Sequence, residues 1–380
     1  MASQPHELHI FFFPLMAPGH IIPMLNLAKL FVLRGVGATV LATPTATPFL
    51  RDTIDRARDC GYSINLLLLP SSSNGAENLT SPEMSPEFFT ALESFRQPLD
   101  RVLREHRPSC IVSDMFMPFT EEVANALNIP RLVFHSMGFF PLCVMDSVDR
   151  SISNGSISST NDDKDTIEVP GLPHRIEMKR SQLHNSTGAR NGFSEFMERV
   201  KESELKSYGA VVNSFYELEP EYADHYRETT GRKAWCVGPL SLIDDKAAAE
   251  AQRDRVIAWL DSKPQRSVVY VCFGSLSRLT APQLREIECG LESCGHFYVW
   301  VVRSRYDSEC RSNEKGMIVE GWAPQRAILQ HAAVGGFVTH CGWNAVMESA
   351  EAGVPMVTWP MFAEQFYNER LVVEVAGIGG

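Results

Sequence analysis

Short apolar runs recur along the chain, each separated from the next by a longer stretch with helical spacing. The first series is Leu8–Phe13, Ala38–Ala42, Ile64–Leu69, Cys110–Ser113, Arg131–Phe134, Ala210–Asn213 and Trp235–Val237. These runs are continuously apolar rather than alternating, the pattern of parallel strands buried on both faces. Between the first two lies PMLNLAKLFVLRG, which predicts a helix opened by Pro23 and closed by Gly35. A second series follows, with strands at Val268–Phe273, Phe297–Val302, Gly336–Thr339 and Met356–Trp359 and helices over 281–294, 342–352 and 363–375. Strands alternating with helices mean parallel α/β sheets, and 380 residues suffice for two domains. The expected architecture is two α/β domains facing each other across a cleft, 1–240 and 251–380, joined by a linker at 241–250. The polar stretch Ser151–Thr166 reads as a surface loop. The chain stops at AGIGG directly after a helix, so the second domain is expected to be incomplete.

Charge narrows the partners. The chain carries 35 Lys+Arg against 46 Asp+Glu, a net of −11, with no long basic run. Phosphate backbones and anionic membranes require the opposite sign, so no nucleic acid is expected. No stretch is apolar for long enough to insert in a membrane. Nine cysteines, an odd number without a C-x-x-C pair, indicate neither a disulfide framework nor a zinc knuckle. Scattered thiols fit a reducing compartment, and the expected location is the cytoplasm.

In open parallel sheets, ligands bind beyond the carboxyl ends of the strands. His20 follows the first strand, in the loop before the helix that Pro23 opens, and Asp114 ends the strand CIVS. Such a pair can act as a general base and its orienting carboxylate, although either residue alone is as readily structural. Other chemistries fail on their motifs. No G-x-S-x-G elbow surrounds Ser275, and the loop after the first strand lacks the G-x-G-x-x-G of a dinucleotide enzyme. His340–Cys341 are sequence neighbours, a poor geometry for a thiol nucleophile.

The 44-residue stretch 322–365, WAPQRAILQHAAVGGFVTHCGWNAVMESAEAGVPMVTWPMFAEQ, concentrates polar groups at strand ends and helix starts. Trp322 offers a stacking plate, and Gly342–Trp343–Asn344 open a helix whose free N–H groups suit a phosphate. His340 adds a donor there. Glu348, Glu364 and Gln365 suit neighbouring hydroxyls. A flat ring, a diphosphate and a sugar would fit this surface.

That stretch resembles the signature box of the plant secondary-product glycosyltransferases, a branch of the UDP-glycosyltransferases. PLMAPGHIIPMLNLAKLF, CIVSDMFMPF, IPRLVFHS, VVNSFYELEP, VYVCFGSLS and FYVWVVR are similar to further family blocks, in family order. The likeness points to the clade acting on flavonoids, triterpenoid aglycones and abscisic acid. It implies a GT-B fold of two Rossmann-like domains and transfer of a sugar, glucose by the presence of Gln365, to a hydroxyl or carboxyl of a plant metabolite. His20 would be the base and Asp114 its partner. Trp322 would stack on the uracil, Ala323 would line the UDP site, and Gln325 and Glu348 would hold the ribose. Ser275, His340, Gly342, Trp343, Asn344 and Ala345 would hold the phosphates, and Glu364 and Gln365 the sugar. The implied reaction inverts the anomeric centre and needs no cofactor and no metal. Its expected partners are a small-molecule acceptor and a UDP-sugar, handled by a monomer.

Three positions depart from the family pattern. Ala345 replaces a usual serine, Phe119 stands where tryptophan is common, and the segment between Arg303 and Gly316 is short. With the early end, Ala345 and the short segment favour a competing reading, a truncated, weakly active or inactive binding protein of the same fold. Acceptor choice is expected to reside in loops at 70–95 and 140–195.

Overall fold

The run HIFFF places three phenylalanines in succession, and in a computed structural model of the protein Phe12 and Phe13 are fully buried. The structure describes residues 8–44, 46–70, 75–77, 79, 84–157, 166–183, 192–243, 255–303 and 315–380. The chain forms two units, Met1–Asp245 and Lys246–Gly380. Residues 244–250 of the expected linker lie outside the described residues, and Leu240–Leu242 form a 3-10 turn with Leu240 buried.

In the first unit the strands are β1 (His9–Phe13), β2 (Gly37–Ala42), β3 (Ile64–Leu68), β4 (Cys110–Asp114), β5 (Arg131–His135), β6 (Thr166–Val169), β7 (Ile176–Lys179), β8 (Gly209–Val212) and β9 (Ala234–Cys236). Seven of them make a parallel sheet in the order β3-β2-β1-β4-β5-β8-β9, and β6 pairs with β7 as a separate antiparallel hairpin. The helices are α1 (Pro18–Val32), α2 (Thr47–Asp59), α3 (Pro86–Glu93), α4 (Arg96–His106), α5 (Phe119–Asn125), α6 (Phe139–Ser153), α7 (Gly192–Lys206) and α8 (Pro220–Thr230). Each fully buried phenylalanine in this core contributes about 1.5–3 kcal/mol. None of the described helices is long and apolar enough to cross a membrane.

The second unit has β10 (Val268–Cys272), β11 (Phe297–Val302), β12 (Gly316–Glu320), β13 (Val334–Thr339) and β14 (Met356–Thr358), all parallel, in the order β12-β11-β10-β13-β14. Its helices are α9 (Arg255–Asp261), α10 (Ala281–Ser293), α11 (Gln325–Leu329), α12 (Trp343–Ala352) and α13 (Gln365–Arg370). Val271, Phe273, Leu284, Tyr298, Trp300 and Val302 form the buried cluster between sheet and α10.

Three expectations need correction. Helix α1 starts at Pro18, so Pro23 lies inside it and His20 sits on its first turn rather than in a loop. Proline suits the first helical position because its missing N–H would be unpaired there anyway. Ser151–Ser153 complete α6, and Thr166 opens β6, which leaves 158–165 of the expected loop outside the described residues. The helix expected over 363–375 is α13 followed by a π-helical turn at Leu371–Val375.

Helix α6 begins at Gly138, which has no side chain to cap it. Glu219 does so from a distant point of the chain. Its two carboxylate oxygens accept the N–H groups of Phe139 and Phe140 at 2.7 Å each, and the Ser214 hydroxyl donates to it as well. Burial pushes this carboxyl up to about 7, against the pull of those hydrogen bonds. Glu219→Ala strands two buried N–H groups and is expected to cost about 2–4 kcal/mol. Glu219→Gln keeps an acceptor and is expected to cost less than half as much. Urea denaturation followed by far-UV circular dichroism measures both. Equal losses would show that the cap is not the origin of the effect.

Candidate active site

Both sheets reverse their strand order once. In the first unit the reversal falls between β1 and β4, in the second between β10 and β13. Loops leaving two such neighbours diverge to opposite faces and open a crevice at the carboxyl ends. The candidate residues cluster at these two points.

At the first, His20 on α1 and Asp114 at the end of β4 meet, with His20 Nδ1 2.7 Å from Asp114 Oδ2. The register pairs Phe13 with Ser113, which brings the two strand ends level. Asp114 is fully buried, and its Oδ1 accepts the Phe116 N–H at 3.1 Å. Ser136 Oγ, just past β5, lies 3.1 Å from the same His20 nitrogen. With Nδ1 facing the carboxylate, Nε2 is the nitrogen placed to take a proton from a substrate hydroxyl. Beside it stands an aromatic wall. Phe116 meets the His20 ring edge-on at 5.8 Å, Phe196 of α7 stacks on Phe116 at 6.3 Å, and Phe89 of α3 stacks on Phe196 at 4.3 Å. None of these phenylalanines, nor Ser136, was singled out by sequence reasoning, because no spacing links residues 89, 116, 136 and 196. Phe119 is fully buried, edge-on to Phe13.

At the second point, the ring of His340 lies between two glycines. A Cβ on Gly274 would come within 2.2 Å of the ring, and one on Gly342 within 2.4 Å. Gly274 also has φ +79°, a conformation that favours glycine. Burial pushes His340 down to about 4; the Cys272 backbone opposes the shift, while nearby Arg303 adds to it. The imidazole is therefore neutral at pH 7. Ser275 follows Gly274 in the turn after β10. Gly342 is the N-cap of α12, and Trp343, Asn344 and Ala345 form its first turn, with Trp343 and Ala345 buried. Their N–H groups and the helix dipole favour an anion.

Trp322 lies between β12 and α11, 54 % exposed, with the Arg303 guanidinium 5.1 Å from its ring centre. Arg303 Nε in turn donates to the Gly274 carbonyl at 3.1 Å. Ala323 next to it is buried. Gln325 opens α11 and donates through Nε2 to Glu348 Oε2 at 2.8 Å, so these two side chains are together. The Tyr270 hydroxyl donates to the Gln325 side-chain oxygen Oε1 at 3.3 Å. Glu364 is the N-cap of α13 and Gln365 its first residue. Gln365 Oε1 accepts the N–H groups of Met361 and Phe362, which commits its oxygen to the loop and leaves its amide NH2 for a ligand. Asn368 Nδ2 donates to the Cys341 carbonyl at 2.9 Å and ties α13 to the start of α12. Among the described residues no cluster of three His, Cys, Asp or Glu side chains could hold a metal ion.

The family described as "UDP-glucoronosyl and UDP-glucosyl transferase" matches residues 243–379. The chain is 45 % identical to scopoletin glucosyltransferase of Nicotiana tabacum, covering 98 % of this chain and 84 % of that protein. It is 43 % identical to UDP-glucose flavonoid 3-O-glucosyltransferase 7 of Fragaria ananassa, over 98 % of this chain and 80 % of the relative. Among solved structures, that of Glycyrrhiza uralensis UGT73P12 complexed with glycyrrhetinic acid 3-O-monoglucuronide superposes with a TM-score of 0.88 at 37 % identity, covering 98 % of this chain and 80 % of that one.

The His340 environment makes a prediction about pH. Its folded value lies below the ordinary 6.5, so the unfolded chain takes up a proton first. Stability is therefore expected to fall as pH drops from 6.5 toward 4, by about 3 kcal/mol from this residue. Denaturation series at several pH values, on the parent and on His340→Asn, isolate the contribution. Parallel stability curves for the two proteins would refute it.

Proposed function

The chain belongs to the plant family 1 UDP-glycosyltransferases and has their GT-B fold, and on that premise we propose that it transfers glucose from UDP-glucose to a hydroxyl of a small, largely apolar plant metabolite. The observation that carries the reading is the 2.7 Å contact of His20 with Asp114 at the reversal of the first sheet. The acceptor O–H donates its proton to His20 Nε2 as its oxygen attacks the anomeric carbon. The bond from that carbon to the diphosphate breaks, UDP leaves, and the configuration inverts. Asp114 holds the imidazole in the right tautomer and stabilises the imidazolium that forms.

The second unit binds the donor in this reading. Trp322 stacks on uracil beside Ala323, and Gln325 with Glu348 holds the ribose. Ser275, neutral His340 and Asn344, with N–H groups of the first turn of α12, take the diphosphate and the charge that develops on it. Glu364 and the Gln365 amide hold sugar hydroxyls. Glucose is supported by the tobacco and strawberry relatives, both named for glucosyl transfer. The acceptor class is supported by the phenylalanine wall beside His20, since a flat or polycyclic ring system gains most from such a surface. The same relatives are named for scopoletin and flavonoid.

His20→Ala is expected to lower transfer by about a hundred- to ten-thousand-fold and to leave UDP binding as it was, because no donor contact is assigned to the first unit. Asp114→Asn is expected to cost less. Trp322→Ala is expected to weaken UDP binding by about tenfold or more, the loss of one base stack. Product formation from UDP-glucose with a panel of phenols and triterpenoid alcohols, beside calorimetric titration with UDP, measures all three. Transfer by His20→Ala within a few-fold of the parent would overturn the assignment.

A further inference from the structure

Behind Asp114 lies a group of buried charges that the reaction as described does not use. Arg131, the first residue of β5, is buried with only 3 % of its surface exposed. Its side chain runs along the sheet toward the end of β4. Nε donates to Ser113 Oγ at 2.9 Å, Nη2 to the backbone carbonyl of Asp114 at 3.2 Å, and Nη1 to Ser207 Oγ at 2.7 Å. All three acceptors are uncharged. No carboxylate among the described residues lies within ion-pair distance of this guanidinium, and burial pushes it down to about 10.

A charge in that position is expensive, and an apolar side chain of similar volume would fill the space at less cost. What only the cation supplies is positive potential at the carboxylate that orients His20. The charges around it alternate. Asp114, Glu121 of α5 and Glu204 of α7 attract Arg131, and Arg232 after α8 repels it. Glu204 is itself paired with Arg232 at 2.9 Å. His135, at the end of β5, lies 3.5 Å from Glu204 and is pushed down by burial, so it adds no charge.

We propose that Arg131 is a positioning residue for the transfer reaction: it anchors the end of β4 through the Asp114 carbonyl and, balanced by Glu204, sets the proton affinity of the His20–Asp114 pair. The proposal rests on the reading of His20 as the base. A cation behind the pair disfavours the His20 imidazolium, so the His20 midpoint is expected to lie lower with Arg131 than without it.

The direct readout is the titration midpoint of His20, followed by the NMR signal of its Cε1–H, which His20→Asn identifies by deletion. It needs no turnover and so tests the proposal even if transfer is not observed. Arg131→Met removes the charge and is expected to move the midpoint up by about one pH unit. Glu204→Gln removes the balancing charge and is expected to move it down, by about half a unit. Arg131→Lys keeps the charge but not the fork, and is expected to hold the midpoint within a few tenths of a unit while kcat drops about tenfold. In the pH profile of kcat/KM the acidic limb follows the same directions. If Arg131→Met does not fold, the opposite shift in Glu204→Gln and the constancy in Arg131→Lys still decide. A midpoint unmoved in folded Glu204→Gln, or moved upward, overturns the proposal. Parent transfer that survives His20→Ala would instead overturn the assignment of the base.

Discussion

In each unit, one reversal of strand order governs where everything polar can go. A parallel strand buried on both faces offers no place for a charged side chain along its length. The only edges open to chemistry are the strand ends, and only where two neighbours send their chains to opposite faces is there room for a ligand. In the first sheet that place is the pair β1 and β4, and in the second it is β10 and β13. His20 and Asp114 occupy one, and Gly274, His340 and the start of α12 the other. The apolar runs are thus the reason the sites are rigid, since Phe12, Phe13, Ile111 and Val112 leave the strand ends no freedom to move.

The two units solve the cost of burying polar groups in different ways. The first keeps net charges inside: Asp114, Arg131 and Glu204 are all buried and compensate one another across β4, β5 and α7. Such a cluster places charge close to the proposed base, where it can bias proton affinity. The second works with dipoles and neutral donors. His340 is held uncharged between two glycines, and Gly342 is the N-cap of α12. That suits the diphosphate binding and release proposed for this unit. A full cation at the same depth would hold the product as firmly as the substrate.

The strands were legible because continuous apolar runs have few other uses in a chain of this length. Cys110–Ser113 and Phe297–Val302 fall within one residue of the observed β4 and β11. Strand β12 was missed, since GMIVE is short and follows a polar segment with no turn signal of its own. The start of α1 was misplaced because two prolines, at 18 and 23, compete for the first helical position, and the earlier one takes it. Candidate residues at strand ends could be read from the chain, as His20 and Asp114 were. Residues whose part depends on side chains distant in sequence could not. Arg131 looks like an ordinary charge flanking an apolar run, and Phe196 like a core position of an amphipathic helix. Only the fold brings one behind Asp114 and the other against Phe116. Gln365 was legible as a residue of interest, yet its hydrogen bonds to Met361 and Phe362 depend on a loop geometry that no spacing reveals.

The division of labour inside the first unit has a further consequence. The two groups of the proposed dyad flank one strand end: Asp114 closes β4, and His20 lies on the first turn of α1, the helix that follows β1. The groups that form the adjoining surface come largely from helices outside the sheet, Phe89 from α3 and Phe196 from α7. Neither helix contributes a strand pairing, so side chains there can change volume without shifting the register that levels Phe13 with Ser113. Selectivity and chemistry are then separable. A substitution at 89 or 196 reshapes what can lie against the wall, and the 2.7 Å contact that prepares the base stays in place. The exception is Phe116, whose ring meets His20 and whose N–H holds Asp114 Oδ1. Its backbone N–H holds Asp114 and its ring belongs to the wall, so this residue joins the aromatic wall to the His20–Asp114 pair.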